Sequence, residues 1–513
     1  VLAAVIAGIL PAAAARSAGA DDDPYLWLEE AHGAKAMAWV DAENAKTLAV
    51  LEKDPHYAQF YSEALAIAQA EDRIPEPVAM AGEVFNFWQG TGHVRGYWRK
   101  TTLDSYEMAS PAWTTVLDID QLAETEKANW FQKGLVPDEP EEKRALVLLS
   151  DGGEDAVTIR EFDIPSARFV EGGFNLPRGK LRATWEDDDT LLVSREWEPG
   201  EITASGYPYI VRRLKRGQAL KDAAEIFRGS AGDGGYGVSP IALNDGSGNR
   251  LLLISRPLTT FESEIYLVTG DQVRQLMLPK KANIRDLVGG KLVVSLAEDW
   301  KPGDVTFKSG SLVALDMAAL KADPANLKPV AIYVPGPRET LGDVSATKDR
   351  LVVTTYDNVR GRAFVYEPDG AGNWSSQRLD LPDNSTIGIS AADIHDDMVF
   401  FDVTGFLQPN SLWLADASNC ALSEVKTLPP KFDASRDVTE QREAVSKDGT
   451  KVPYFVVHPV GMKLDDSNPT ILYGYGGFQI SETPRYSGTL GKLWLERGGV
   501  FVLANIRGGG EFG

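Results

Sequence analysis

One cysteine, Cys420, stands among 513 residues, so no intrachain disulfide can form whatever the redox compartment. A buried, inert thiol is its expected state. Positive charge is also short: 52 Lys and Arg face 74 Asp and Glu, a net charge of −22 that is spread along the chain and not gathered in a tail. Such a surface repels phosphate backbones and anionic lipid, so nucleic acid and membrane surfaces are not expected partners. Long apolar runs are missing as well. The opening one, residues 1–10, is too short to span a bilayer, and it leads into a small-residue stretch that ends in Ala18-Gly19-Ala20. That texture resembles the remains of a secretory signal peptide cleaved after Ala20, and it predicts export, in a bacterium to the periplasm.

What is present has the balance of a soluble globular protein, with 43% hydrophobic and 25% charged residues. The length exceeds one ordinary domain and points to about three. Two acidic clusters, Glu139-Pro140-Glu141-Glu142 and Asp187-Asp188-Asp189, lack the alternation of glycine and ligands that marks a calcium loop. Both are expected to be solvated loops.

Three textures follow one another. In residues 21–75, Ala36, Trp39, Val40, Ala42, Leu48 and Leu51 recur at helix-like intervals, and a second helix follows Pro55 to about Gln69. The aromatics of this arm need a partner surface that no local sequence supplies. From 76 to 430 the chain turns to short β-rich runs separated by Gly, Asp, Asn and Pro, at residues 84–88, 145–149, 190–194, 251–255, 291–295, 311–315, 351–356, 362–366 and 398–403. Many short strands at this spacing indicate a sandwich, a barrel or a propeller. As a propeller, at about 40 to 50 residues per four-stranded blade, the stretch holds about seven to nine blades. From 431 to 513 a hairpin is expected around Asp448-Gly449, then a strand at 470–473, a helix at 488–497 and a strand at 500–504, the opening of an α/β sheet.

Two glycine-rich blocks close the apolar runs of this last stretch: Leu472-Tyr473-Gly474-Tyr475-Gly476-Gly477-Phe478 and Asn505-Ile506-Arg507-Gly508-Gly509-Gly510-Glu511-Phe512-Gly513. Together, and in this order, they closely resemble two loops of the prolyl oligopeptidase family. The segment Pro24-Tyr25-Leu26-Trp27-Leu28-Glu29 resembles that family's amino-terminal arm, which packs on the hydrolase domain. Arg95-Gly96-Tyr97-Trp98-Arg99 and Asp118-Ile119-Asp120-Gln121-Leu122 are family-like too, and are expected to be turns and contacts. The resemblance implies an all-β propeller of seven blades inserted into an α/β-hydrolase domain, with 1–20 a partial signal peptide, 21–75 the arm, 76–430 the propeller and 431–513 the start of the hydrolase domain. It also implies serine-type hydrolysis of short peptides, usually after proline, with no metal or nucleotide cofactor and with a monomeric full-length enzyme. A relative cleaving after basic residues stays open.

Acyl transfer by such an enzyme needs a serine on a sharp turn, a histidine base, an orienting acid and donors aimed at the oxyanion. No Gly-x-Ser-x-Gly occurs in the 513 residues. In α/β hydrolases the order is Ser, then Asp or Glu, then His, so all three are expected beyond Gly513. His32, His56, His93, His395 and His458 fit satisfied or surface histidines, not that late base. By the resemblance, Tyr475 donates its hydroxyl to the oxyanion, and flanking glycines let the backbone approach the scissile carbonyl. Phe478 is implied as the wall of the pocket for the residue before the cut bond. The alternatives are a tyrosine packed in a glycine turn and a phenylalanine of the core. Arg507 and Glu511 are expected to brace their loop.

Gly508-Gly509-Gly510-Glu511-Phe512-Gly513 also fits Gly-x-Gly-x-x-Gly, but a dinucleotide site needs a following helix and a distant acid, and it leaves Asn505-Ile506-Arg507 and the Tyr475 loop unexplained. A second function class is a propeller-based binding or scaffold protein without catalysis. A polypeptide of these residues alone is expected to be inactive and, with an open sheet edge, to fold poorly.

Overall fold

The computed structural model describes residues 23–30, 32–369, 372–477 and 480–508. Seven consecutive antiparallel sheets run from Val78–Met80 to Ala421–Thr427, each with its strands in chain order. The second takes on an extra strand, Asn175–Gly179, beside Val157–Asp163. First strands stand side by side: Arg182–Asp187 beside Ser239–Asn244, then Ala282–Val288, Glu339–Ala346 and Thr386–Ala392, which meets Val78–Met80 of the first sheet. The ring of sheets is therefore closed.

Alternation of side chains explains why the ring is stable. In Arg144–Asp151, Ala145, Val147 and Leu149 face the first sheet while Leu146 faces the third, so both faces of one strand are apolar and buried. The same holds at Thr190–Ser194, where Leu191 and Val193 point one way and Leu192 the other. The seam between last and first sheets has its own core of Val84, Tyr106, Phe400, Leu412 and Leu414. Each valine, leucine or phenylalanine among them, fully buried, contributes about 1.5–3 kcal/mol. Tyr106 and Phe400 meet edge to face at 5.6 Å.

Beyond the ring, the hairpin Asp437–Val445 and Lys451–Pro459 turns at Asp448-Gly449, where Gly449 takes φ +86°. Val500–Ala504 pairs antiparallel with Lys451–Pro459 and parallel with Thr470–Gly474, which forms the edge of the sheet. The helix expected over 488–497 is shorter. It runs Gly488–Leu493, capped by the Ser487 hydroxyl, and breaks at Trp494 before a 3₁₀ turn at Leu495–Arg497. The indole explains the break: Nε1 donates to the Val500 carbonyl at 2.9 Å and the ring occupies the space a β-carbon on Gly499 would need.

Both ends of the described chain meet here. Helix Tyr57–Ala68 packs on Gly488–Leu493, Glu63 pairs with Arg497 at 2.8 Å, and the Arg497 guanidinium lies 4.6 Å from the Phe60 ring centre. Helix Ala34–Leu51 buries only Ala36 and leaves Trp39, Leu48 and Leu51 exposed. Trp39 meets Trp27 at 6.3 Å. No helix among the described residues is long and apolar enough to cross a membrane.

Two expectations need correction. The Glu139–Glu142 cluster is not a solvated loop, because Glu142 is only 6% exposed and accepts a hydrogen bond from the Ala81 N–H. Asp188 and Asp189 do reach solvent, beside Arg144 and Arg216. Cys420 is half-buried, not buried, and sits at φ +60° in a turn; burial, aided by Asp416, pushes its thiol up.

Candidate active site

Parallel pairing of Thr470–Gly474 with Val500–Ala504 places both carboxyl ends at one edge of the sheet. Tyr475 and Asn505 are the next residues out, so both glycine-rich loops start from the same place, where open α/β sheets build their sites. The loops then touch through bare backbone. A β-carbon on Gly476 would lie 2.3 Å from the Arg507 carbonyl oxygen, and one on Gly508 would lie 1.8 Å from the Gly476 carbonyl oxygen. Only glycine fits either position, and Gly508 also has φ +98°.

Tyr475 is 39% exposed, and its ring folds back over Gly477: a β-carbon there would stand 2.7 Å from the phenol oxygen. The second glycine thus makes room for the phenol itself. Phe478 and Glu511 lie outside the described residues. Arg507 braces its loop as expected: Nη1 meets Asp448 Oδ2 at 2.6 Å and Nη2 donates to the Ser446 hydroxyl. Hydrogen bonds from Thr450 N–H and from Arg507 hold the Asp448 carboxyl well below the usual range. Asn505 is buried; its amide donates to the Glu482 carbonyl at 2.6 Å while its backbone N–H reaches the Pro453 carbonyl at 3.0 Å.

Sequence reasoning missed the segment around residues 480–487, which has no regular structure and no motif. It joins the ring of sheets to the α/β part. The Thr386 hydroxyl donates to the Pro484 carbonyl, Tyr486 N–H to Thr404 Oγ1 at 3.0 Å, and Lys431 N–H to the Tyr486 hydroxyl at 2.6 Å. Arg338 pairs with Glu443, and Arg360 and Asn358 hold Gln441. Between the two parts lies a cavity of about 410 Å³ lined by Phe406, Tyr473, Glu482, Arg485, Tyr486 and Phe501. Tyr473 ends the strand that delivers Tyr475, so the cavity lies next to the glycine loops.

The histidines stand apart from the loops. His458 is buried with Nδ1 2.8 Å from the Pro459 carbonyl, and His93 Nδ1 is 3.3 Å from Asp118. Asp120 accepts from the Arg95 and Gly96 N–H groups, a turn contact as expected.

The family model described as prolyl oligopeptidase, N-terminal beta-propeller domain, matches residues 17–427. An uncharacterized peptidase of Sinorhizobium fredii is 43% identical over 500 residues, which cover 96% of this chain and 68% of that protein. The chain belongs to the prolyl oligopeptidase family. Among solved structures of this fold, a post-proline cleaving enzyme from Rickettsia typhi superposes with a TM-score of 0.82 at 30% identity, covering 95% of this chain and 72% of that one. A prolyl endopeptidase of Elizabethkingia miricola is 36% identical over 138 residues, 27% of this chain and 19% of that protein. The ring of sheets is thus the family's β-propeller.

Proposed function

We propose that the chain works in a serine-type oligopeptidase that cleaves short peptides after proline through an acyl-enzyme. The observation that carries this reading is the backbone contact between the Tyr475 loop and the Arg507-Gly508 loop at the carboxyl ends of two parallel strands. Such a contact fixes a phenol at a strand end, where it can meet charge developing on a scissile carbonyl. Tyr475 is the oxyanion donor in this reading, and Phe478 walls the pocket for the residue before the cut. Serine, acid and histidine come from sequence outside these 513 residues, since no Gly-x-Ser-x-Gly is present.

Each of the seven sheets is one blade, spanning 76–430; residues 21–75 and 431–513 form the two ends of an α/β-hydrolase domain. The propeller covers the site and admits extended peptides but not folded proteins. The enzyme is exported to the periplasm and acts as a monomer on peptides, with nucleic acid and membranes playing no part.

The post-proline preference is supported by the names of the Rickettsia typhi and Elizabethkingia relatives. The test compares two polypeptides, residues 21–513 alone and the same chain joined to the sequence that completes its relatives, on peptides ending in Pro-nitroanilide or Arg-nitroanilide. Turnover of the proline substrate by the longer one only, blocked by a serine-directed phosphonate, is expected. Phosphonate-sensitive turnover by residues 21–513 overturns the assignment of the nucleophile, and faster cleavage after arginine overturns the specificity.

A further inference from the structure

The strand Thr386–Ala392 begins at the contact with the α/β part, through Thr386, and ends at the opposite mouth of the propeller. At that far mouth three hairpin loops converge. Glu142 comes from the loop before Arg144–Asp151, Asp393 and His395 from the loop before Met398–Thr404, and Ala81 from the hairpin of the first sheet. The Asp393 loop also crosses the opening, because a β-carbon on Gly246 of the fourth sheet would meet the Ile394 carbonyl oxygen at 2.4 Å.

One ligand-type atom from each of Glu142, Asp393 and His395 lies within 4.8 Å of the others, and His395 Nε2 is 3.6 Å from Glu142 Oε2. Both carboxylates are 6% exposed. Glu142 accepts from the Ala81 N–H on Oε2 and Asp393 from the His395 N–H on Oδ1; among the described residues neither has a hydrogen-bond donor on its other oxygen. Glu139 and Asp396 add negative charge nearby, while the Arg250 guanidinium is directed to the carbonyls of Glu139 and Trp185. Buried carboxylates crowded in this way, with a single histidine facing them, lack a counter-charge.

We propose that Glu142, Asp393 and His395 bind one divalent transition-metal ion, of the Zn²⁺ or Mn²⁺ class, which fastens the loop that crosses the far mouth of the propeller. One imidazole and two carboxylates suit these borderline ions better than Mg²⁺ or Ca²⁺, which prefer all-oxygen shells. Ligand bonds of about 2.0–2.2 Å place donor atoms about 3.4 Å apart around a tetrahedral ion, close to the separation of the His395 and Glu142 atoms. Its donors come from the second and seventh sheets with the first sheet between them, so an ion there ties the closure of the ring.

The test is direct metal binding by the chain after treatment with EDTA. Titration with ZnCl₂, and separately MnCl₂, is expected to give one site per chain by calorimetry and a rise in Tm, with binding weakened at least tenfold in His395→Ala and in Glu142→Gln. His395 is about one-third exposed, so its replacement leaves the fold intact. Absence of any one-site binding by the unaltered chain overturns the proposal, as does an affinity in both variants equal to that of the unaltered chain. A CaCl₂ response that persists in His395→Ala overturns the imidazole-containing ligand set.

Discussion

The Gly508 α-carbon faces the Gly476 carbonyl oxygen so closely that a β-carbon at 508 would stand 1.8 Å away, well inside any van der Waals contact. Two loops separated by a strand and a helix are therefore in register at the level of backbone atoms. Gly508→Ala must push them apart, and its φ of +98° adds strain for any L side chain. In the polypeptide with peptidase activity, kcat/KM is expected to fall at least 100-fold with little change in Tm, because the loops are at the surface. Activity within threefold of the parent would show that the contact does not set the site.

Tyr475 provides the second prediction. If its hydroxyl meets the oxyanion, Tyr475→Phe removes an interaction made in the transition state only, which typically costs about 3–4 kcal/mol, or 10²–10³ in kcat. KM should stay nearly constant. A rise in KM with unchanged kcat would instead make Tyr475 a wall of the substrate pocket.

How much of this was legible beforehand depends on where a strand lies. All nine β-rich runs read from the sequence are second or third strands of their sheets, such as Thr190–Ser194 and Leu351–Asp357. Those strands are paired on both edges and covered on both faces, so they are continuous apolar runs. First strands line the channel and fourth strands face outward; Glu339–Ala346 and Trp374–Arg378 are half polar and left no such signal. The Tyr475 and Arg507 loops were legible because their motifs are unusual. Glu142, Asp393 and His395 were not, since sheets two and seven meet only when the ring closes. The Glu139–Glu142 run looked solvated for the same reason.

Burial, reinforced by the charge of Asp402, raises the Glu76 carboxyl to about 7 from an ordinary 4.5. The folded protein therefore holds a proton there that the unfolded chain has released, and stability falls as pH rises from about 4.5 to 7. Glu76 as a residue is exposed to solvent, so screening cuts the loss to a fraction of the full value of about 1.4 kcal/mol per pH unit. Glu76→Gln should flatten the decline in Tm between pH 5 and 7.5. An identical pH profile in the variant would show that the carboxyl titrates normally.

Phe406 links the propeller to the α/β sheet and tests whether the two unfold together. It is 6% exposed and meets Phe455 at 5.4 Å and Phe501 at 6.1 Å, in a cluster with Val359, Phe432, Val457, Leu495 and Leu503. Truncation to alanine removes the largest propeller side chain of that cluster, a change that costs about 3–5 kcal/mol in a well-packed core. The polar ties at Arg338–Glu443 and Thr386 to Pro484 remain, but exposed ion pairs contribute less than about 1 kcal/mol each. Phe406→Ala is therefore expected to split urea unfolding into two transitions, with the α/β part melting first because Ile471 and Leu472 on its edge strand are already exposed. Phe406→Leu, which keeps most of the buried area, should retain one transition. Two transitions in the parent, or one unshifted transition in Phe406→Ala, would show that the parts are not coupled through this side chain.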